Sequence, residues 1–224
     1  MADVVIFGLN ANSRLAHYYL CGDSPHQPVA FTAHREYLGE GKTLCGLPVV
    51  PFEDIEQHYP PGQVKFIAPL TAIEMNRVRA RVFLEIKEKG YGFISYISSH
   101  ATVLTGDIGE NCFILEDNTI QPFVKIGDNT ILWSGNHIGH HSTIGNNVFI
   151  ASHAVVSGFC NLGDNTFVGV NATIRDGISV GEGAFIAMAA SLAQDAEPWC
   201  AYAGVPANKL EKPSTDMTIY HAVE

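Results

Sequence analysis

Between Asp128 and Asp164 the chain carries no Asp, Glu, Lys or Arg, yet four of its ten histidines fall there: His137, His140, His141 and His153. Acid–base chemistry in this stretch must rest on imidazole, the side chain whose ordinary titration range lies nearest neutral pH. Three of the four lie in Trp133-Ser-Gly-Asn-His-Ile-Gly-His-His-Ser-Thr-Ile144, where Asn136 adds a polar amide. A neutral imidazole in such a cluster can act as a general base. Three imidazoles brought together can instead hold zinc, and His137, His141 and His153 form that alternative set.

The element that must position these rings is a repeat. Steps of six from Ile108 land on Ile114, Ile120, Ile126, Leu132, Ile138, Ile144, Ile150, Val156, Leu162, Val168, Ile174, Val180, Ile186 and Leu192, and the following residue is often Gly or Ala. A period of six fits neither a helix nor an ordinary strand. It predicts a parallel β-helix of triangular section, with aliphatics pointing inward and small residues at the corners. The position four residues after each aliphatic is mostly small or polar, as at Thr130, Asn136, Ser142, Ala154 and Cys160, which suits a narrow interior.

Stacking by 18 places His140, between Pro122 and Gly158, at a corner with room for a ligand, and His141 between Phe123 and Phe159 as a packed ring. His137 points outward between Thr119 and Val155, and His153 stacks with Gly135 and Asn171. One outer side carries Phe113, Ile131, Phe149, Phe167 and Phe185, a ladder too apolar for a free surface. It is expected to be an assembly surface, most simply of a closed trimer. The competing reading is that the N-terminal region or the C-terminal tail folds over it.

Residues 1–97 alternate short apolar strands (Val4–Phe7, Val29–Thr32, Val64–Ala68) with helical stretches over 13–21 and 73–89, which predicts a small Rossmann-like α/β unit. The β-helix is expected over 98–200 and a C-terminal tail over 201–224, without function assigned beyond Lys212. The turn Gly8-Leu9-Asn10-Ala11-Asn12-Ser13 sits where such a unit places phosphate on a helix N-terminus. It has a single Gly and no acidic residue ends the second strand, which argues against a dinucleotide site. A plain turn capped by Asn12 or Ser13 is the competing reading.

With 13 Lys+Arg against 23 Asp+Glu, the net charge of −10 argues against nucleic acid or an anionic membrane as partner. No leader or membrane span is visible, and the five Cys form no CxxC pair, so a soluble cytoplasmic protein with small buried thiols is expected.

The α/β unit, the hexapeptide β-helix and the closing Tyr202-Ala-Gly-Val-Pro-Ala207 together resemble the sugar acetyltransferases related to sialic-acid O-acetyltransferases and bacillosamine-type nucleotide-sugar N-acetyltransferases. The resemblance implies a left-handed β-helix, a homotrimer, acetyl-CoA as co-substrate with no metal, and an N-acetylated nucleotide-linked amino sugar of the kind that feeds bacterial surface polysaccharide such as lipopolysaccharide O-antigen. It implies His140 as general base, with His141, His137 and Asn136 as supporting groups. His141 stands where the family often has Glu or Asp, so a backbone carbonyl, a water or another residue must orient the base. Acetyl-CoA positions match Phe149, Val170, Met188 and Gly204; substrate positions match Gly8, Asn10 and Asn12. Sugar O-acetylation, a zinc carbonic-anhydrase-like trimer and a non-catalytic nucleotide-sugar binding protein are the alternatives.

Overall fold

The computed structural model describes residues 1–217 and residue 219. The N-terminal unit is built from β1 (Asp3–Phe7), α1 (Ala11–Gly22), β2 (Gln27–Ala33), β3 (Thr43–Leu44), β4 (Leu47–Pro51), α2 (Ile55–His58), β5 (Lys65–Ile67) and α3 (Arg77–Glu88). Its sheet has the order β3-β4-β2-β1-β5, parallel except for the β3–β4 hairpin. The expected alternation holds, and the hairpin is an addition to it. Cys45 and Gly46, both at positive φ, make its two-residue turn, a Cys-Gly pair in place of the usual Asn-Gly signal. The third helix starts at Arg77 rather than near Ile73, because Glu74, Met75 and Asn76 adopt left-handed backbone with φ of 51°, 53° and 66°. The buried Asn76 amide then donates to the carbonyls of Asn165 and Thr166 in the second unit.

The second unit is the expected prism. Two-residue strands stack on three sides: the first runs from Tyr96–Ile97 through Phe113, Ile131, Phe149, Phe167 and Phe185; the second from Thr102–Val103 through Thr119, His137, Val155, Thr173 and Ser191; the third through Lys125, Thr143, Asn161 and Ser179. Partners lie 18 residues apart in register, as in His137 with Thr119 and Val155. The inward aliphatics from Ile114 to Leu192 are all buried and form one continuous core. Polar residues at the second inward position bond to backbone, Ser142 Oγ donating to Ser157 O at 3.0 Å and accepting from Cys160 N at 3.0 Å. Every sixth residue from Asn111 to Ala189 has positive φ, including Phe123, His141, His153 and Phe159.

Two boundaries differ from expectation. Phe93 still bridges to Phe66 in the first sheet, whereas Tyr96 already pairs with Phe113, so the crossover lies just ahead of residue 98. Cys200–Ala203 adds another strand to the first side, and Asn208–Pro213 returns antiparallel along it, so these residues close the sheet instead of trailing as a tail. Residues 218 and 220–224 lie outside the described residues. No helix among the described residues is long and apolar enough to cross a membrane.

The phenylalanine ladder is not an open assembly surface. Val4, Ile6, Leu20, Phe31, Ile67 and Met75 of the α/β unit bury it from above, so the same-chain covering is correct. Polar contacts fix this docking. The fully buried Arg79 donates from Nε to Asn129 O, from Nη1 to Leu70 O and Asn76 Oδ1, and from Nη2 to Asn147 O and Val148 O. Burial lowers its pKa to about 9, which leaves it charged at neutral pH. Beside it runs an amide ladder: Ala68 N donates to Asn111 Oδ1, Asn111 Nδ2 to Asn129 Oδ1, and Asn129 Nδ2 to Asn147 Oδ1, at 2.7–2.8 Å.

At the other edge Asp23, just past α1, accepts from Ser99 N at 2.9 Å, Tyr96 Oη at 2.9 Å and Ser98 Oγ at 3.2 Å. These bonds, Ser99 first, lower its carboxyl from 3.8 to about 2. A carboxyl depressed on folding contributes stability above its unfolded value and loses it as pH falls through the folded one. Asp23→Asn should therefore lower the denaturant midpoint near pH 6, and its difference from wild type should shrink as pH drops from 3.8 towards about 2. Urea titrations at a series of pH values check this.

Candidate active site

His140 and His141 occupy the corner between the second and third sides, and both are exposed. The backbone N–H of His140 donates to Gln121 Oε1 at 2.9 Å, one coil earlier. Its ring lies over Gly158 one coil later, so closely that a Cβ on Gly158 would stand 2.9 Å from His140 Cε1. The Nδ1 atoms of His140 and His141 are 3.2 Å apart. Among the described residues no hydrogen bond engages Nε2 of His140, which leaves that nitrogen open at the surface. The His141 ring is stacked on Phe159 at 4.9 Å and 16°, and leans on Phe123 at 4.7 Å from the other side. Phe159 also presents its face or edge to His140 at 5.0 Å and 86°. The corner is thus an imidazole pair braced by aromatic rings, with one free nitrogen capable of taking a proton.

The other expected residues lie across the prism. Val170, Met188 and Gly204 follow one another along the corner between the first and second sides, all exposed, and form one apolar strip. Phe149 does not join them. It is stacked on Phe167 at 5.5 Å, lies under the Arg79 guanidinium and is buried by the α/β unit, which removes it from any acyl-CoA wall presented by this chain. Asn136 is also corrected: it is buried at an inward position, donating to Trp133 O and accepting from Ala154 N, and cannot support chemistry at the corner. His137 is half-buried on the second side between the two corners. Its partners in the zinc reading, His141 and His153, stand on different corners, and no three metal-ligating side chains converge among the described residues.

The turn after β1 is a real helix entry. Gly8 has φ of 108° and a Cβ there would meet Ser13 Oγ, while its N–H donates to Thr32 O at 2.7 Å. Asn10, rather than Asn12 or Ser13, is the N-cap of α1: its Oδ1 accepts from Ser13 N and Ser13 Oγ, both at 3.2 Å. Asn12 is buried, so the polar surface of this turn is Asn10 with the first amides of α1. The sequence reading missed a neighbouring cleft of about 650 Å³, lined by His34, Arg35, Glu36, Glu53 and Glu85 where β2 ends. There His34 Nε2 meets Glu85 Oε2 at 2.7 Å, and Glu53 accepts from Arg35 N. The acidic groups absent from the end of β2 are supplied by other elements, which no local motif reveals.

The α/β unit covers the first side from corner to corner, through Arg79 and Asn76 at one edge and the Tyr19–Glu116 bond of 2.8 Å at the other. His140 stands at the opposite vertex of the triangle. Within one chain the open imidazole and the helix-entry turn therefore face different ways.

The model for bacterial transferase hexapeptide repeats (six repeats) matches residues 107–140 and 128–158, and that for the hexapeptide repeat of succinyl-transferase matches residues 161–192. Both matches fall on the coils of the β-helix. None of the curated proteins compared is significantly similar in sequence. Among solved structures, a variant of perosamine N-acetyltransferase from Caulobacter crescentus, in complex with CoA and GDP-perosamine, superposes with a TM-score of 0.82 at 19% identity, covering 95% of this chain and 98% of its own. The acetyltransferase domain of PglB from Neisseria gonorrhoeae gives 0.76 at 19% identity (94% and 100%), and WeeI from Acinetobacter baumannii gives 0.70 at 19% identity (94% and 100%). The fold shared with them is an α/β unit followed by a left-handed hexapeptide β-helix. In the hexapeptide register of this chain, Gly158 is the residue that admits the His140 ring. Gly158→Ala should displace that ring while costing about 1 kcal/mol or less in stability, seen as a shifted His140 imidazole signal by NMR with a nearly unchanged denaturant midpoint.

Proposed function

We propose that the protein is an acetyl-CoA-dependent N-acetyltransferase acting on the amino group of a nucleotide-linked sugar. The observation that carries this reading is the open Nε2 of His140, held on a corner of a transferase hexapeptide prism whose α/β unit offers a helix N-terminus for phosphate. The solved structures of the same fold in complex with CoA and GDP-perosamine support it. The nucleotide lies along the carboxyl ends of β1 and β2, with phosphates towards the first amides of α1 and the Asn10 turn, and the base towards the His34–Glu85 cleft. The pantetheine arm follows Val170, Met188 and Gly204.

In the transfer step the neutral sugar amine attacks the thioester carbonyl. His140 Nε2 takes the amine proton as the C–N bond forms, a backbone N–H holds the oxyanion, and on collapse the C–S bond breaks and the proton passes to the CoA sulfur. Direct transfer is favoured over a thiol intermediate, because Cys112 and Cys160 face inward and burial raises both thiols, Cys112 to about 11.

Because His140 lies opposite the covered side of its own prism, a neighbouring chain must bring its His140 corner to the Val170–Met188 strip and the helix-entry turn. A closed trimer does this three times with one kind of contact. The product would serve as a precursor of a bacterial surface polysaccharide such as O-antigen, made in the cytoplasm where both substrates are drawn from soluble pools.

The test is acetyl-CoA-dependent thiol release with UDP-, GDP- and dTDP-linked 4-amino sugars, and with hydroxyl-bearing counterparts as controls. His140→Asn should lower kcat by about 10²- to 10⁴-fold, with KM for acetyl-CoA little changed. Unaltered turnover in the variant would overturn the assignment. Sedimentation equilibrium should give three times the chain mass of 24.3 kDa.

A further inference from the structure

A histidine that accepts a proton through Nε2 must, in its neutral form, carry its own proton on Nδ1, and the tautomer is set by whatever Nδ1 bonds to. In His140 that partner is Nδ1 of the next residue, 3.2 Å away. Among the described residues neither ring takes part in a salt bridge. The charged side chains on the surrounding elements are engaged or lie elsewhere: Asp176, further along the same corner, accepts from Gly158 N at 2.8 Å; Arg175 precedes it; and Lys125 on the third side lies 3.9 Å from Asp107. His137 lies on the second side, three residues before His140. The residues directly against the pair, Gln121, Pro122, Phe123, Gly158 and Phe159, carry no charge.

We propose that His141 is a positioning residue whose Nδ1 accepts the Nδ1–H of His140, in a two-imidazole pair clamped between Phe123 and Phe159 that keeps Nε2 of His140 bare and aimed at the acceptor amine. The inference rests on the reading of His140 as base and deepens it. The clamp is needed because an exposed His141 would otherwise sample several rotamers. Stacking on Phe159 and contact with Phe123 fix the ring plane, and with it the direction of its Nδ1 lone pair. Two facing Nδ1 atoms hold one proton between them, so two neutral arrangements exist. The pair rests in the one in which His140 is the donor, which leaves Nε2 bare for the acceptor N–H. When His140 takes the amine proton, its Nδ1–H becomes a charge-assisted donor to His141, which stabilises the imidazolium until the proton leaves for the CoA sulfur.

Backbone geometry makes the test clean. His141 has φ of 59°, and the equivalent corner positions already carry Phe123 at 67°, Phe159 at 57° and Asp117 at 59°. His141→Phe and His141→Asp are therefore both compatible with the corner; the first keeps a ring in the stack and removes the acceptor, and the second replaces it with a carboxylate. With the nucleotide sugar that the wild type turns over, His141→Phe should lose about 10²-fold in kcat with KM for acetyl-CoA and the thermal midpoint nearly unchanged. His141→Asp should recover most of kcat and move the acidic limb of the pH–rate profile to higher pH, because an anion stabilises the imidazolium more than a neutral ring does. Imidazole ¹⁵N NMR adds a readout that needs no substrate: in the wild type the protonated nitrogen of His140 is Nδ1, and in His141→Phe it is Nε2.

Wild-type turnover in His141→Phe, failure of His141→Asp to recover, recovery without a displaced acidic limb, or an Nε2–H tautomer in the wild type would each overturn the proposal. Full activity in His140→Asn would instead overturn the base assignment beneath it, and is told apart because the loss is then absent at residue 140 itself.

Discussion

L-amino acids resist positive φ by roughly 1 kcal/mol or more per residue, yet this chain places a residue there at every sixth position from Asn111 to Ala189. The cost is offset by the stack that the corners permit: each short strand bonds to its copy 18 residues away, and each aliphatic lands on the one below. Asn and Gly, which tolerate the conformation, fill most of these corners. The corner between the second and third sides departs from that economy with Phe123, His141 and Phe159 at consecutive coils. Three large rings forced into the same backbone conformation at the same column must lie side by side. The stack that braces the histidine pair is thus a product of the same periodicity that builds the prism.

Docking of the α/β unit depends on a different balance. The guanidinium of Arg79 has five N–H groups and meets five neutral acceptors, four of them backbone carbonyls. A buried cation without a counter-ion is tolerable only when every donor is satisfied. Here the carbonyls of Asn129 and Asn147 belong to successive coils, so the residue recognises the spacing of the prism itself. The resulting pose seals the first side and leaves the second and third open. That division decides which surfaces remain for substrates and for other chains.

The prism was legible because its signal is repeated: fifteen aliphatics in strict register outweigh any local propensity. The corner positions of His140, His141 and His153, and the place of His137 on a side, followed from counting alone. What covers the phenylalanine ladder did not, because Arg79 and Asn76 look like ordinary polar residues near the start of a helix until they meet carbonyls fifty to ninety positions away. Asn136 stood at an inward position already in the hexad count; only the resemblance carried it to the site, and its burial and backbone bonds keep it from the corner. The burial of Phe149 and the acidic cleft at the end of β2 both depend on which elements meet, and a linear pattern does not encode that. Even the N-cap was displaced to Asn10, as three Asn or Ser residues within the turn offer nearly equivalent caps.

The amide ladder of Asn111, Asn129 and Asn147 has a polarity. Asn111 and Asn129 each present the carbonyl oxygen to the rung before and the NH₂ to the rung after, and the series ends on Asn147 Oδ1. Turning Asn129 over would set NH₂ against NH₂ on one side and oxygen against oxygen on the other, so the three orientations are locked together. The sense of the whole series is chosen at its first rung, where Asn111 Oδ1 must receive the N–H of Ala68. A single peptide group at the end of β5 therefore dictates the orientation of side chains two coils away, and the two units share one directional chain of dipoles, with each bond polarising the next.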